Sequence, residues 1–567
     1  MVKQKISDFL KQATSQPIVD VVIPPDKKMG DFSYACFEYA KQIKKSPAEA
    51  ALDLKEKLSS KLDSVSFIER LETTGPYLNF YLNTKETARL VLENIEKQND
   101  DYGSLSVGGK QKVLVEFGCP NTHKAFHIGH LRNIITGESI VRLFENGGYK
   151  VKRLNYQGDV GMHIAKCFYA ILDLGKNNEF EKIKNKTTQE KVDYLGKMYA
   201  LGANKYEDDE EVKEEIIKIN EKIYTQSKDI KEVYKTTRQW SLDNFERIYK
   251  RVGTHFDKYY FESGVFKRGL KFVKKYLKKG IFKRSQGAII FPGSKYDLHD
   301  RVFVNQKGFP TYEGKEVGLA SLHLKNNPCK IIHVVGKEQA EYFKVIFKVL
   351  EQIFPKQKEV EEHVSYGWVS LKSGKMSSRT GVVVLGEWLL DELEKEIKKL
   401  VQNTELDNEA KEDVIKKVAL SATKYSFLRV GVLNDVKFDL EESINLNGDS
   451  GPYLLYMIAR IKSILKKSEV NYKNYKITNL TEEEKNIILK LDSFTDITKE
   501  SLDGRDPSLV ARYLFELAKL FSVFYENCPV LKADEDIKIF RLNLIDKVRG
   551  VLERGLYLLG IESVEKM

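Results

Sequence analysis

No stretch of the 567 residues approaches the ~18 to 20 consecutive apolar residues of a membrane-spanning helix, which sets that class aside. The opening MVKQKISDFLKQ has neither the apolar run nor the small-residue cleavage site of a secretory leader. A cytoplasmic location with no membrane partner is therefore expected. Cysteine is scarce and scattered: Cys36, Cys119, Cys167, Cys329 and Cys528 stand singly, with no CxxC pair. That argues against a disulfide framework and against a Cys-rich zinc site, and no protein-held metal is expected. Internal repeats and low-complexity tracts are missing too. Basic excess is modest: 93 lysines and arginines against 82 acidic residues give +11, which permits a polyanionic partner without establishing one.

What is present is globular composition, 42% hydrophobic and 31% charged, which excludes wholesale disorder. Residues 1–108 read as a small α+β unit with an alternating strand, TGPYLNFYLN, from Thr74 to Asn83. The polar, glycine-bearing run Asp100–Lys110 reads as its linker. Residues 109–364 open with KVLVEF (Lys112–Phe117), a run suited to a buried parallel strand. A loop, GCPNTHKAF, leads into a helical pattern from Ile128 that Gly147-Gly148 stops, and VKRLNY (Val151–Tyr156) reads as the next strand. Strand, turn, helix and strand make a βαβ unit, so the predicted class is α/β with a Rossmann-like parallel sheet. A charged helical insertion spans about 170–250, and α/β texture resumes with GAIIF, RVFV and KIIHVV. Residues 365–410 connect to an all-α bundle at 411–567.

Two motifs carry chemistry. His127, Gly129 and His130 fall where the turn becomes a helix, and a helix N-terminus suits phosphate. Glycine at 129 lets a ligand approach the backbone, and the two histidines share one helical face. The competing reading is a surface histidine pair on a capped helix. The second motif, GKMSSRTG (Gly374–Gly381), has the lysine, hydroxyls and glycines of a loop that closes on phosphates. A basic surface hairpin is its plain alternative.

Together these resemble the HIGH and KMSKS signatures of class I aminoacyl-tRNA synthetases, and the surroundings narrow the resemblance to the arginyl-tRNA synthetase family. VEFGCPNTHKAFHIGHLRN, LNYQGDVG, GFPTYEGKEVGLA, FDLEESINLNGDSGPYLLYMIAR and FYENCPVLKA are similar to that family's segments in order along the chain. The resemblance implies an arginine–tRNA ligase. L-arginine and ATP, entering with Mg²⁺, would give arginyl-adenylate and pyrophosphate, and the arginyl group would pass to the terminal adenosine of tRNA-Arg. It also implies a monomer.

Carried over residue by residue, the resemblance implies catalytic roles for Lys124, His127, His130 and Lys375. It implies ATP contacts at Phe126, His127, Gly129, His130, Lys375, Met376, Ser377 and Ser378. For arginine it implies Glu116, Asn121, Glu262, Tyr312, Glu316 and Gln339, and a guanidinium does need carboxylate acceptors. For tRNA it implies Asn79 and Tyr81 in the N-terminal strand, Tyr453, Tyr456 and Arg460 in the bundle, and Met567. The chain departs from the family pattern at Glu316 (usually aspartate), Lys315 (usually arginine), and Val160 and His163 after the GDxG start. Ser378 stands where the signature has its second lysine, which leaves Lys124 to supply that charge, with Lys372 and Arg379 as rival donors.

Two other readings compete. A small-molecule nucleotidyltransferase also uses HxGH but needs no helical C-terminal domain. A catalytically dead RNA-binding paralogue would be expected to lose His127, His130 or Lys375, and all three are present.

Overall fold

The computed structural model describes residues 1–17, 19–174, 179–372, 384–402, 404, 406–477 and 479–567. At the N-terminus four antiparallel strands, β1 (Val21–Val22), β2 (Phe32–Ala35), β3 (Ile68–Thr74) and β4 (Tyr77–Leu82), lie in the order β1-β2-β4-β3. The helix Pro47–Ser59 is set by a Ser46/Glu49 capping box with proline at its first position. The expected strand Thr74–Asn83 is split. Gly75 turns the chain at φ +56°, leaving Thr74 at the end of β3, and Asn83 caps the next helix by accepting from the Glu86 N–H.

The central sheet is wholly parallel. β5 (Lys112–Glu116), β6 (Lys150–Gln157), β7 (Lys258–Phe261), β11 (Lys330–Gly336) and β12 (Glu361–Tyr366) lie in the order β12-β11-β5-β6-β7. The order reverses between β5 and β11, and an open α/β sheet offers its ligand crevice beyond the carboxyl ends of the strands at such a switch point. Of the three strands expected after residue 285, only KIIHVV joins this sheet. GAIIF and RVFV become β9 (Ala288–Phe291) and β10 (Arg301–Val304), which pair antiparallel with each other and with β8 (Lys283–Ser285). Phe291 and Phe303 bury in a separate core with Phe282 and Val273, so this hairpin has its own apolar support.

Between β6 and β7 the described chain forms the helices Met162–Leu174, Glu179–Ile183, Thr188–Asp208, Glu210–Thr225 and Lys231–Arg251. Beyond residue 386 it is helical apart from β14 (Val436–Phe438), which pairs parallel with β13 (Val369–Leu371) and ties the bundle to the end of the parallel sheet. No helix among the described residues is long and apolar enough to cross a membrane.

The helices Glu262–Leu277 and Tyr312–His323 cross closely because glycines line their contact. A Cβ on Gly269 would fall 2.0 Å from the Gly314 carbonyl oxygen, whereas one on the exposed Gly264 would meet nothing within 4 Å. Gly269→Ala should therefore cost about 1 to 3 kcal/mol by overpacking. Gly264→Ala, in the same helix, should gain up to about 1 kcal/mol from helix propensity. Urea denaturation reads both, and equal effects at the two positions would refute the close crossing.

Candidate active site

The carboxyl ends of β5, β6 and β11 open on a cleft of about 1150 Å³. One end is imidazole. His127 caps the helix Ile128–Asn146 in a reciprocal arrangement: its Nδ1 accepts the Gly129 N–H at 3.1 Å, and its own N–H donates to His130 Nδ1 at 3.2 Å. With both Nδ1 atoms accepting, each neutral ring carries its proton on Nε2. Burial, then nearby positive groups, push both histidines below the ordinary imidazole range: Lys124 for His127, and His127 and Lys124 for His130. The rings stack with centroids 3.8 Å apart, and both line the cleft. Gly129 serves this cap as well, since a Cβ there would fall 2.9 Å from the His127 ring.

Phe126, expected at ATP, is instead buried with its ring 5.1 Å from His130, where it supports the imidazole from behind. Lys124 is half-buried with Nζ 5.2 Å above the Tyr199 ring of the inserted helices. Lys375, Met376, Ser377 and Ser378 lie outside the described residues, as does Arg379. Lys372 is spent on Asp439 at 3.3 Å and Glu442 at 3.7 Å.

The other end of the cleft is acidic. Glu116, Asn121, Glu262, Tyr312, Glu316 and Gln339 all line it, brought together from four segments of the sequence. Glu116 and Glu316 are buried, whereas Tyr312 is 59% exposed at the rim. Asn121 packs so closely that a Cβ on Gly158 would fall 2.0 Å from its Oδ1, which explains that glycine. Glu262 is positioned by Asp159, which accepts the Ser263 N–H and hydroxyl at 2.8 and 2.7 Å and is held by Arg238. Glu262 already has a partner: its Oε2 lies 2.6 Å from Lys315 Nζ, both groups buried. Val160 and His163 are buried and absent from the cleft lining, so those two departures do not reshape the wall directly.

Some residues of the site carry no sequence signal. His333 and Glu361 sit behind Glu116. Tyr156 and Tyr342 line the cleft beside Glu116, and Trp368 stands 58% exposed at its mouth. The local pattern around each does not say which side chain turns inward.

Two of the RNA-side expectations need correction. Asn79 is only 1% exposed; its Oδ1 accepts from Ser33 at 2.7 Å and its Nδ2 donates to Thr74, so it is consumed inside the sheet. Tyr453 is buried against the Phe515 ring and serves the bundle core. Tyr81 is covered by the Arg70 guanidinium at 3.7 Å. Tyr456 stays half-buried, accepts from Arg460 Nη2 at 2.7 Å, and shares that guanidinium with Tyr525, each ring centroid 4.9 Å away. Nothing in the local sequence marks Tyr525 for this contact. Met567 is half-buried on the same bundle.

Comparison with known proteins bears on this arrangement. The profile "tRNA synthetases class I (R), catalytic domain" matches residues 91–440. "DALR anticodon binding domain" matches 454–567, and "Arginyl tRNA synthetase N terminal domain" matches 1–82. The arginine–tRNA ligase of Treponema denticola is 33% identical over 97% of this chain and 95% of its own length. That of Halothermothrix orenii is 32% identical over 100% and 99%. The arginyl-tRNA synthetase of Thermus thermophilus, 24% identical, shares the fold over the whole of both chains with a TM-score of 0.82.

The buried Lys315–Glu262 pair makes a test independent of any substrate. Lys315→Met leaves a buried carboxylate unpaired and should cost about 3 to 5 kcal/mol. Adding Glu262→Gln removes the orphaned charge and should recover most of the loss. Urea midpoints decide it, and a single variant as stable as the double would refute the pairing.

Proposed function

This chain belongs to the arginyl-tRNA synthetase family, and from that premise we propose how its residues divide the work of an arginine–tRNA ligase. The enzyme activates L-arginine with ATP to arginyl-adenylate and pyrophosphate and then transfers the arginyl group to the 3′-terminal adenosine of tRNA-Arg. The observation that carries the division is the polarity of the cleft, with neutral imidazole donors at one end and buried carboxylates at the other.

At the acidic end Glu316 and Glu116 take the guanidinium, with Tyr312 over the entrance and Asn121 and Gln339 at the amino-acid backbone. Glu262 contributes through its pair with Lys315. The substrate carboxylate then attacks the α-phosphorus, and pyrophosphate leaves. His127 and His130 donate Nε2–H to phosphate oxygens as charge builds there, and oriented donors of this kind act where charge develops. Lys124 and Lys375 add positive charge to the phosphates. ATP enters as its Mg²⁺ complex, the ion neutralising the phosphates it travels with.

Residues 1–108 are assigned to tRNA binding outside the cleft, 109–364 to catalysis, 365–410 to the phosphate loop and acceptor-stem contact, and 411–567 to the anticodon. In the last unit Tyr456, Arg460 and Tyr525 offer a guanidinium-backed aromatic surface suited to unstacked bases. A cytoplasmic monomer completes the reading.

Arginine-dependent ATP–pyrophosphate exchange, with and without tRNA-Arg, tests the assignment as a whole; its absence under both conditions would overturn it. Lys124→Ala should lower kcat for activation roughly 10²-fold, the scale of losing one oriented donor. Ser378→Lys in that background should restore part of it, and near-normal activation by Lys124→Ala alone would remove the lysine from the mechanism. Tyr456→Ala and Arg460→Ala should each raise the KM for tRNA by the equivalent of about 1 to 3 kcal/mol with arginine and ATP KM unchanged. Normal charging by folded variants would return that surface to simple packing.

A further inference from the structure

Behind the acidic wall lie His333, His323 and Glu361, titratable groups to which the reaction above gives no role. His333 on β11 stands opposite Glu116 on β5 in register. Its Nδ1 is 3.2 Å from Glu116 Oε1, and its Nε2 is 2.7 Å from Glu361 Oε2 on β12. Both ring nitrogens face carboxylates, so both must donate, and the ring is an imidazolium. Burial opposes that charge, but the two carboxylates outweigh it and hold His333 well above the ordinary imidazole range. The second oxygen of Glu116 has no hydrogen-bond partner and lies 3.6 Å from Nε2 of His323, whose two ring nitrogens are also unpartnered. Burial keeps that second histidine neutral.

Glu316 completes the set from the helix Tyr312–His323. One donor atom each from Glu116, Glu316 and His333 lies within 4.8 Å of the others, all three side chains buried. Among the described residues Glu316 has no hydrogen-bond or ion-pair partner of its own, and the adjacent lysine, Lys315, is spent on Glu262. Two carboxylates already share the single charge of His333. A third ionised carboxylate here would be uncompensated until a cation arrives.

We propose that the pocket takes its guanidinium in exchange for a proton, and that His333 is the positioning residue that sets the exchange. The imidazolium keeps Glu116 ionised and fixed. Glu316 carries a proton while the pocket is empty and loses it to solvent as the guanidinium arrives. The charged groups facing Glu316 are Glu116 on β5, His333 on β11, Glu361 on β12 and Glu262 at the start of the next-door helix. Tyr156 on β6 and Tyr342 on the helix Ala340–Ile353 face the same carboxylates as neutral phenols, held so by burial. Burial, then Glu116, push the Glu316 carboxyl up to about 8, with His333 opposing. The exchange therefore operates below that pH and disappears above it.

The inference rests on Glu316 meeting the guanidinium, and the experiment separates the two ideas. The heat of L-arginine binding to the full-length protein is measured at pH 7 in phosphate and in Tris, whose ionisation enthalpies differ. About one proton should be released per arginine, falling toward zero by about pH 9, and arginine KM should fall as pH rises toward 8 while ATP KM does not. Glu316→Gln should raise arginine KM and abolish the release. His333→Gln removes the counter-charge, so the carboxyls of the empty pocket hold their protons to higher pH, and the release should persist at about pH 9, where that of the unmodified protein has faded, a change that mere packing would not produce. No proton released by the unmodified protein, with Glu316→Gln still raising arginine KM, overturns the exchange and leaves the contact standing. Unchanged arginine KM in Glu316→Gln overturns both. A His333→Gln protein whose release fades at the same pH as that of the unmodified protein overturns the role of His333.

Discussion

The helix Ile128–Asn146 is buried on nearly every side, and the rest of the structure depends on how its polar side chains are satisfied. Fifteen of its nineteen residues are buried, among them Arg132, Asn133, Glu138, Ser139 and Asn146, which no apolar core tolerates without partners. Arg132 donates to the carbonyls of Trp368 and Asn434 at 2.6 and 2.8 Å. Asn133 donates to Val334 on β11 and accepts from the Gly118 N–H just beyond β5. Glu138 takes Arg142, Arg153 and Thr254, Ser139 reaches the Leu558 carbonyl in the last helix, and Asn146 reaches Gly103 in the linker. Linker, sheet, cleft rim and helical bundle are thus referred to one element. Moving any of them would leave a buried group unpaired. The cap of that same helix is His127, so the imidazole end of the cleft inherits its placement from the best-anchored part of the fold.

The cleft separates its charges by burial. Neutral donors are obtained at one end by burying two stacked histidines beside a lysine, His130 against Phe126, with backbone N–H groups on both Nδ1 atoms. Anionic acceptors are obtained at the other by setting carboxylates around one imidazolium. The two departures from the family pattern at positions 315 and 316 belong together in this light. A lysine at 315 reaches Glu262 as a point charge, where the guanidinium of an arginine would spread over more acceptors. The longer glutamate at 316 brings a carboxylate within 4.8 Å of Glu116 and His333.

Much of this is legible in the sequence, and what is not shares a cause. β5, the helix from Ile128 and β6 were readable because a buried parallel strand and a capped helix each impose a local pattern. GAIIF and RVFV were readable as strands, but not their sheet, because an apolar strand reads alike in a parallel layer and in an antiparallel hairpin with its own core. Asn79 and Tyr453 failed as nucleic-acid contacts for a related reason. Polar and aromatic residues in amphipathic elements serve cores as readily as surfaces, and Ser33, Thr74 and Phe515, which claim them, lie far away in sequence.

Sequence alone is enough for the family, the order of the elements and, by position within the family's motifs, the six residues that the cleft gathers, because each rests on local pattern or on position within a motif. Tertiary structure alone decided which of those residues remain free to act. Lys315 claims Glu262, the sheet interior claims Asn79, and Tyr525 joins Tyr456 at Arg460. It alone placed His333 between Glu116 and Glu361, since strands adjacent in a parallel sheet are brought together by long crossovers. The charge of a buried group is set by what lies within a few ångströms, and that neighbourhood is written in no single segment of the chain.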